Sequence, residues 1–114
     1  MTIGTGLHIS MVQFHPGSPR TVYSKGYLHS DEEPFFVAGT LPKNPAAFFG
    51  QNPKVALAIC YEISVPEHSQ NASRLGADAY VASAAKTVEG TEIALGQLSA
   101  IASTHRMAVM LSNY

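Results

Sequence analysis

Hydrophobic and polar positions follow two different patterns along this chain. Before residue 26 they alternate loosely, and after residue 53 the apolar residues come in short continuous runs. LHISMVQF (7–14) alternates and predicts a strand, and TVYSK (21–25) predicts a short returning strand. Between them HPGSPR (15–20), with two prolines and a glycine, is turn chemistry, so 7–25 is expected to form a hairpin with a wide turn. Residues 26–53 hold four of the seven prolines and read as an ordered loop anchored by Phe35, Phe36, Phe48 and Phe49. A loop this long inside one domain is often functional.

KVALAIC (54–60) is apolar without alternation, the pattern of a strand covered on both faces. SVPE (64–67) has the Ser-x-x-Glu form of a capping box with Pro66 in the first turn, and predicts a helix running to about Leu75, stopped by Gly76. DAYVAS (78–83) predicts a second apolar strand. Ile93, Leu98, Ile101, Ala102 and His105 share one helical face, which predicts a helix over about 89–106, and MAVMLS (107–112) predicts a third strand. Strand, helix, strand, helix, strand in that order implies a parallel sheet with right-handed crossovers. No internal repeat or low-complexity tract interrupts it.

The 114 residues amount to one domain. An apolar fraction of 46% against 13% charged excludes a disordered chain and supplies a core. The net charge of −1 includes no basic block, so neither nucleic acid nor a membrane surface is an expected partner. No apolar run is long enough to span a bilayer, and MTIGTGLHIS lacks the basic start, apolar run and cleavage site of a signal peptide. A single cysteine permits no internal disulfide, and a reduced, cytoplasmic setting is the default expectation.

That cysteine, Cys60, is expected at the carboxyl end of the first parallel strand, where reactive groups gather in α/β sheets. The next helix starts a few residues on, and its positive N-terminal end favours a thiolate. Residue type and place alone leave two readings open, a nucleophile or an inert core cysteine. Lys25, at the end of TVYSK, is by itself the kind of residue that is usually a solvated charge. The acidic pair Glu32 and Glu33 follows it closely.

VYSKGYLHSDEEPFFVAGT, then VALAICYEISVPE, then RLGADAYVASAA together resemble the carbon–nitrogen hydrolases of the nitrilase superfamily. The likeness lies in Tyr-x-Lys, a Leu-containing loop and Phe-x-x-Gly, the apolar strand into Cys-Tyr-Glu, the Pro-Glu that opens the next helix, and Gly-Ala-Asp before the next strand. LSNY adds the family's strand ending in asparagine. The resemblance implies an α/β fold, the nitrilase-like αββα sandwich, present here as a hairpin followed by a parallel β-α-β-α-β unit. It implies a Glu–Lys–Cys triad in which Cys60 is the nucleophile and Lys25 the lysine. It puts the Tyr61 backbone N–H at the oxyanion, and Glu33, or else Glu32, where amidase members position substrate.

The same resemblance implies hydrolysis of a small non-peptide amide, of amidase or N-carbamoyl type, through a cysteine thioester. It implies no metal or organic cofactor, and a homo-oligomer in the intact domain. Tyr61 after the cysteine favours amides over nitriles, since family nitrilases tend to carry Trp there. The departure from the family is its general-base glutamate: none of the 24 residues before Lys25 is acidic. Residues 1–114 are thus expected to be the middle of a nitrilase-type domain, with a non-catalytic or partner-binding remnant as the competing class. The five histidines give no His-x-x-x-His pair and no cysteine partner at zinc spacing. A Cys–His dyad with His29 or His68 is the lesser enzymatic alternative.

Overall fold

The computed structural model describes residues 6–39 and 54–113. Strands β1 (Ser10–His15) and β2 (Ser18–Ser24) pair antiparallel, from Ser10 opposite Ser24 to His15 opposite Ser18. The turn is tighter than the sequence suggested. It is only Pro16-Gly17, where Gly17 supplies a φ of +71°, and the pairing shifts register between Gln13 and His15. Ser18, Pro19 and Arg20 belong to β2, because a strand of a two-stranded ribbon tolerates a residue with no N–H.

Beyond Lys25 the chain makes a set of turns and comes back beside the hairpin. Val37 N–H donates to the Leu7 carbonyl, and Gly39 N–H donates to the Lys25 carbonyl at 2.8 Å. A Cβ on Gly39 would lie 2.6 Å from both the Cβ and the carbonyl oxygen of Ser24, so this close approach requires glycine. Phe36 is half-buried, but Phe35 is 71% exposed and anchors nothing. Phe48 and Phe49 lie outside the described residues.

The second half is a parallel three-stranded sheet in the order β3 (Val55–Ile59), β4 (Ala79–Ala84), β5 (Ala108–Asn113). A 3-10 turn, Cys60–Ser64, and α1 (Pro66–Arg74) join the first two strands, and α2 (Val88–His105) joins the last two. Asp78 fixes the shared starting edge. Its carboxylate accepts from Lys54 N–H at 2.8 Å, its own N–H donates to the Lys54 carbonyl, and its carbonyl accepts from Ala108 N–H. Asn113 does the same at the other edge. It accepts from Lys86 N–H at 2.8 Å and donates to Thr91 Oγ1 at 2.8 Å, tying the end of β5 to the start of α2.

Both faces of β3 are covered, as its unbroken apolar run predicts. Ala56 and Ala58 enter a core with Ala72 of α1 and Ala94, Leu98 and Ile101 of α2. Leu57 and Ile59 face the other way, against Tyr23 of β2 with Ile9 and Met11 beside it. The described layers are therefore helices, parallel sheet and hairpin.

Two helix details differ from the sequence expectation. Ser64 does not cap α1: Val65 is its N-cap with no side-chain bond, and the Ser64 hydroxyl pairs with the Gln97 side chain instead. Pro66 at the first position removes a donor that a cap would otherwise serve. On α2, Ile93 is 65% exposed and Ala94 takes the inward place, so the buried face is Ala94, Leu98 and Ile101.

Candidate active site

Cys60 follows β3 directly, and the register sets Ile59 opposite Ser83 and Ser83 opposite Ser112. It therefore stands at the carboxyl edge of the sheet. Its φ is +49°, a left-handed conformation that costs a residue with a Cβ roughly 1–2 kcal/mol. The cysteine is half-buried, packed against the Leu57–Ile59–Tyr23 cluster.

Lys25 ends the hairpin and is not the solvated charge its type suggests: only 1% of its side chain is exposed. Its ammonium donates to both oxygens of Glu32, at 2.9 and 3.1 Å. Glu32 is fixed in turn by His29 N–H at 2.9 Å, within a local turn of residues 29–36. Burial works to raise the Glu32 carboxyl, but the hydrogen bonds from Lys25 and His29 and the lysine's charge outweigh it and hold the group below the usual carboxylate range. The carboxylate on Lys25 is thus Glu32, whereas Glu33 is exposed. Tyr61 is partly exposed, with its ring edge-on to His29 at 5.2 Å between centroids.

Glu62, two residues past Cys60, is fully buried. Its Oε1 accepts from Ile59 N–H at 2.9 Å. Its Oε2 accepts from the Tyr23 hydroxyl at 2.6 Å, Gly26 N–H at 2.7 Å and Tyr27 N–H at 3.2 Å. One carboxylate therefore holds the residue before Cys60 and the residue after Lys25.

Behind it lies a chain of hydrogen bonds. Tyr23 gives its proton to Glu62, so its oxygen accepts from His68 Nε2–H at 2.7 Å. His68 Nδ1 is then the acceptor for the Tyr80 hydroxyl at 2.5 Å. This assigns a neutral His68 with its proton on Nε2. Burial favours that form, pushing His68 below 6.5 against the opposing pull of Glu62. Burial, with the Glu62 charge adding to it, pushes both Tyr23 and Tyr80 far above the ordinary phenol range.

The sequence singled out Cys60, Lys25, Tyr61, Glu32 and Glu33, and the structure groups Lys25 with Glu32. With both ring nitrogens engaged by tyrosines, His68 is not available as a dyad partner for Cys60. The sequence reading missed Tyr23 and Tyr80, offered His68 only as a dyad partner for Cys60, and did not single out Glu62 beyond its place in Cys-Tyr-Glu. The signal for two of them was present, since Tyr23 opens Tyr-x-Lys and Glu62 closes Cys-Tyr-Glu. Among the described residues no three His, Cys, Asp or Glu side chains group so as to hold a metal ion, and no helix is long and apolar enough to cross a membrane.

A thiol on a turn at the carboxyl edge of a parallel sheet is thus tied, through the Glu62 carboxylate, to the segment that carries a buried lysine and its glutamate partner. No protein-family model matches the chain, and no curated protein does. Solved structures do. A carbon–nitrogen hydrolase from Helicobacter pylori G27 superposes with a TM-score of 0.76 at 19% identity, covering 93% of this chain and 41% of its own. The amidase of Nesterenkonia AN1, from the nitrilase superfamily, superposes as a cysteine-to-alanine mutant with a TM-score of 0.68 at 23% identity. A glutamate-to-leucine mutant of that amidase, carrying the acetamide moiety of fluoroacetamide on its active-site cysteine, gives a TM-score of 0.68 at 26% identity. Both cover 82% of this chain and 35% of theirs. The chain thus has the fold of the nitrilase superfamily, and spans roughly two fifths or less of the structures it matches.

Proposed function

We propose that this chain carries the nucleophile half of a carbon–nitrogen hydrolase acting on a small non-peptide amide, of amidase or N-carbamoyl type, in the reducing cytoplasm. The observation that carries the reading is Lys25. A lysine is almost never fully buried unless it is paired, and this one is paired with Glu32 at 2.9 Å beside the segment tied to the Cys60 turn. An ammonium has three N–H donors, and two are directed to Glu32. We assign the third to the substrate's carbonyl oxygen.

The Cys60 thiolate attacks the carbonyl carbon, and the electron pair of the C=O bond moves to oxygen. Lys25 and the Tyr61 backbone N–H stabilise that oxyanion, an effect typically worth about 3–4 kcal/mol per donor. The tetrahedral intermediate collapses, the C–N bond breaks, the amine takes up a proton and leaves, and Cys60 remains as a thioester that water hydrolyses. A general base would serve both proton transfers; without one the proton of the Cys60 thiol can pass to the leaving amine once, but the water that clears the thioester is not activated. None of residues 1–24 is acidic. Glu32 is committed to Lys25, and both oxygens of Glu62 accept hydrogen bonds from four donors. The 114-residue chain is therefore expected to acylate and stop.

The test is a panel of short aliphatic amides and N-carbamoyl compounds, with ammonia and intact mass followed together and Cys60→Ala as the blank. The expected result is a single burst of ammonia, no larger than one equivalent, matched by an acyl group on Cys60. Absence of any Cys60-dependent acylation across the panel would overturn the reading. Sustained Cys60-dependent release would overturn the assignment of an absent base.

A further inference from the structure

The mechanism above leaves one fully buried carboxylate without a chemical step. Glu62 gathers donors from three segments, and two of them flank the reacting residues in sequence: Ile59 precedes Cys60, and Gly26 follows Lys25. We propose that Glu62 is a positioning residue, a clamp that sets the Cys60 turn against the Lys25 segment, and that the Tyr80–His68–Tyr23 chain holds the clamp in orientation. The proposal rests on Cys60 and Lys25 acting together as nucleophile and oxyanion partner.

Cys60 sits in a strained left-handed conformation, which persists only where its surroundings over-determine it. Glu62 brackets that position twice. Its side chain accepts from Ile59 N–H on one side of the cysteine, and its carbonyl accepts from Val65 N–H on the other. The remaining carboxylate oxygen reaches across to Gly26 and Tyr27 and so fixes where the lysine leaves β2. A carboxylate suits this place because every partner donates to it. An amide would turn an NH2 group toward one of those N–H donors.

The three-link chain behind it has one proton arrangement: Tyr80 donates to His68, His68 to Tyr23, and Tyr23 to Glu62. Each link is buried, where such chains polarise one another and hold a unique geometry. Catalysis by a positioned pair is sensitive to displacement, and about 1 Å can change a rate on the order of a hundredfold.

Two thiol reagents separate positioning from mere folding. p-Nitrophenyl acetate acylates Cys60 through a tetrahedral oxyanion: the S–C bond forms and p-nitrophenolate leaves with its electron pair. Methyl methanethiosulfonate forms an S–S bond at sulfur with loss of methanesulfinate, and no oxyanion develops. A loosened fold or an altered thiol changes both rates together, so the ratio of acylation to disulfide formation reports the oxyanion partner.

The ratio is measured in the 114-residue chain and in its Lys25→Met, Glu62→Gln and Tyr23→Phe variants. Lys25→Met is expected to lower it at least about tenfold, as loss of an oxyanion donor should. Glu62→Gln is expected to lower it comparably, and Tyr23→Phe by a smaller factor. A wild-type ratio in Glu62→Gln and Tyr23→Phe, with a lowered one in Lys25→Met, overturns the clamp and leaves the proposed chemistry standing. A wild-type ratio in Lys25→Met overturns the Cys60–Lys25 pairing and the clamp with it. Should Glu62→Gln show no cooperative melt, Tyr23→Phe decides, because it keeps the ring in the core and removes only the hydroxyl.

Discussion

Lys25 and Glu32 share an ion pair but not a burial: the lysine side chain is 1% exposed and the glutamate 26%. Removing one partner of such a pair therefore has unequal consequences. Glu32→Gln leaves a buried ammonium without its counter-charge, whereas Lys25→Met leaves a carboxylate that water can reach. Thermal melts should show a larger loss for Glu32→Gln, up to the roughly 3–5 kcal/mol of a broken buried pair and less here because Glu32 is partly solvated. Equal losses would mean that the lysine is hydrated in solution.

His68 makes a pH prediction. Its folded form resists protonation, so below the ordinary histidine value of 6.5 the unfolded chain binds the proton more readily. Stability should fall as the pH drops through 6.5 and go on falling until the folded histidine itself takes the proton. A His68→Gln variant, which has no titrating ring, should lose less between pH 7.5 and 5.5. An unchanged slope in the variant would exclude His68 as the source.

At this scale the sequence placed Cys60 after an apolar strand and Lys25 at the end of the hairpin, where the structure has them. It was not readable in the polar cluster. Residues 23, 62, 68 and 80 come from four separate segments, and no spacing rule joins them before the fold does.

The loop from Lys25 to Gly39 returns to the strand it left, and the contact is backbone on backbone. Gly39→Ala is expected to push the return away from Ser24, cost about 1–3 kcal/mol in a melt as overpacking does, and slow p-nitrophenyl acetate acylation by displacing Lys25. A Gly39→Ala chain with wild-type stability and acylation rate would show that the loop yields without moving the lysine. The elements themselves were legible, because apolar runs bounded by Gly, Pro and Asp have little freedom to be anything else. Two finer expectations failed for local reasons. The Ser64 hydroxyl found a tertiary partner in Gln97, and Ile93 faces outward where Ala94 fits against the sheet. The roles of Asp78 and Asn113, tying strand starts and ends together, account physically for two residues that the motifs only marked.

At the level of the whole molecule, the described surface carries exposed apolar side chains. Phe14 and Val22 of the hairpin are exposed, as are Val88 and Ile93 of α2 and Met110 of β5. Exposed apolar surface of this kind drives association. The 114-residue chain is expected to sediment as a concentration-dependent self-associating species and to bind a hydrophobic dye at neutral pH. A monodisperse monomer with no dye binding would show that these side chains are better shielded in solution. The proposed homo-oligomer of the intact domain is a separate matter of partners and geometry.

The pairing of Cys60 with Lys25 around one amide is tested most directly by protection. The rate of Cys60 alkylation by iodoacetamide is measured in rising concentrations of propionamide, for the wild-type chain and for Lys25→Met. Saturable slowing in the wild type, lost in Lys25→Met, is the expected result. No slowing in the wild type, or equal protection in both, would contradict a shared amide site at these two residues.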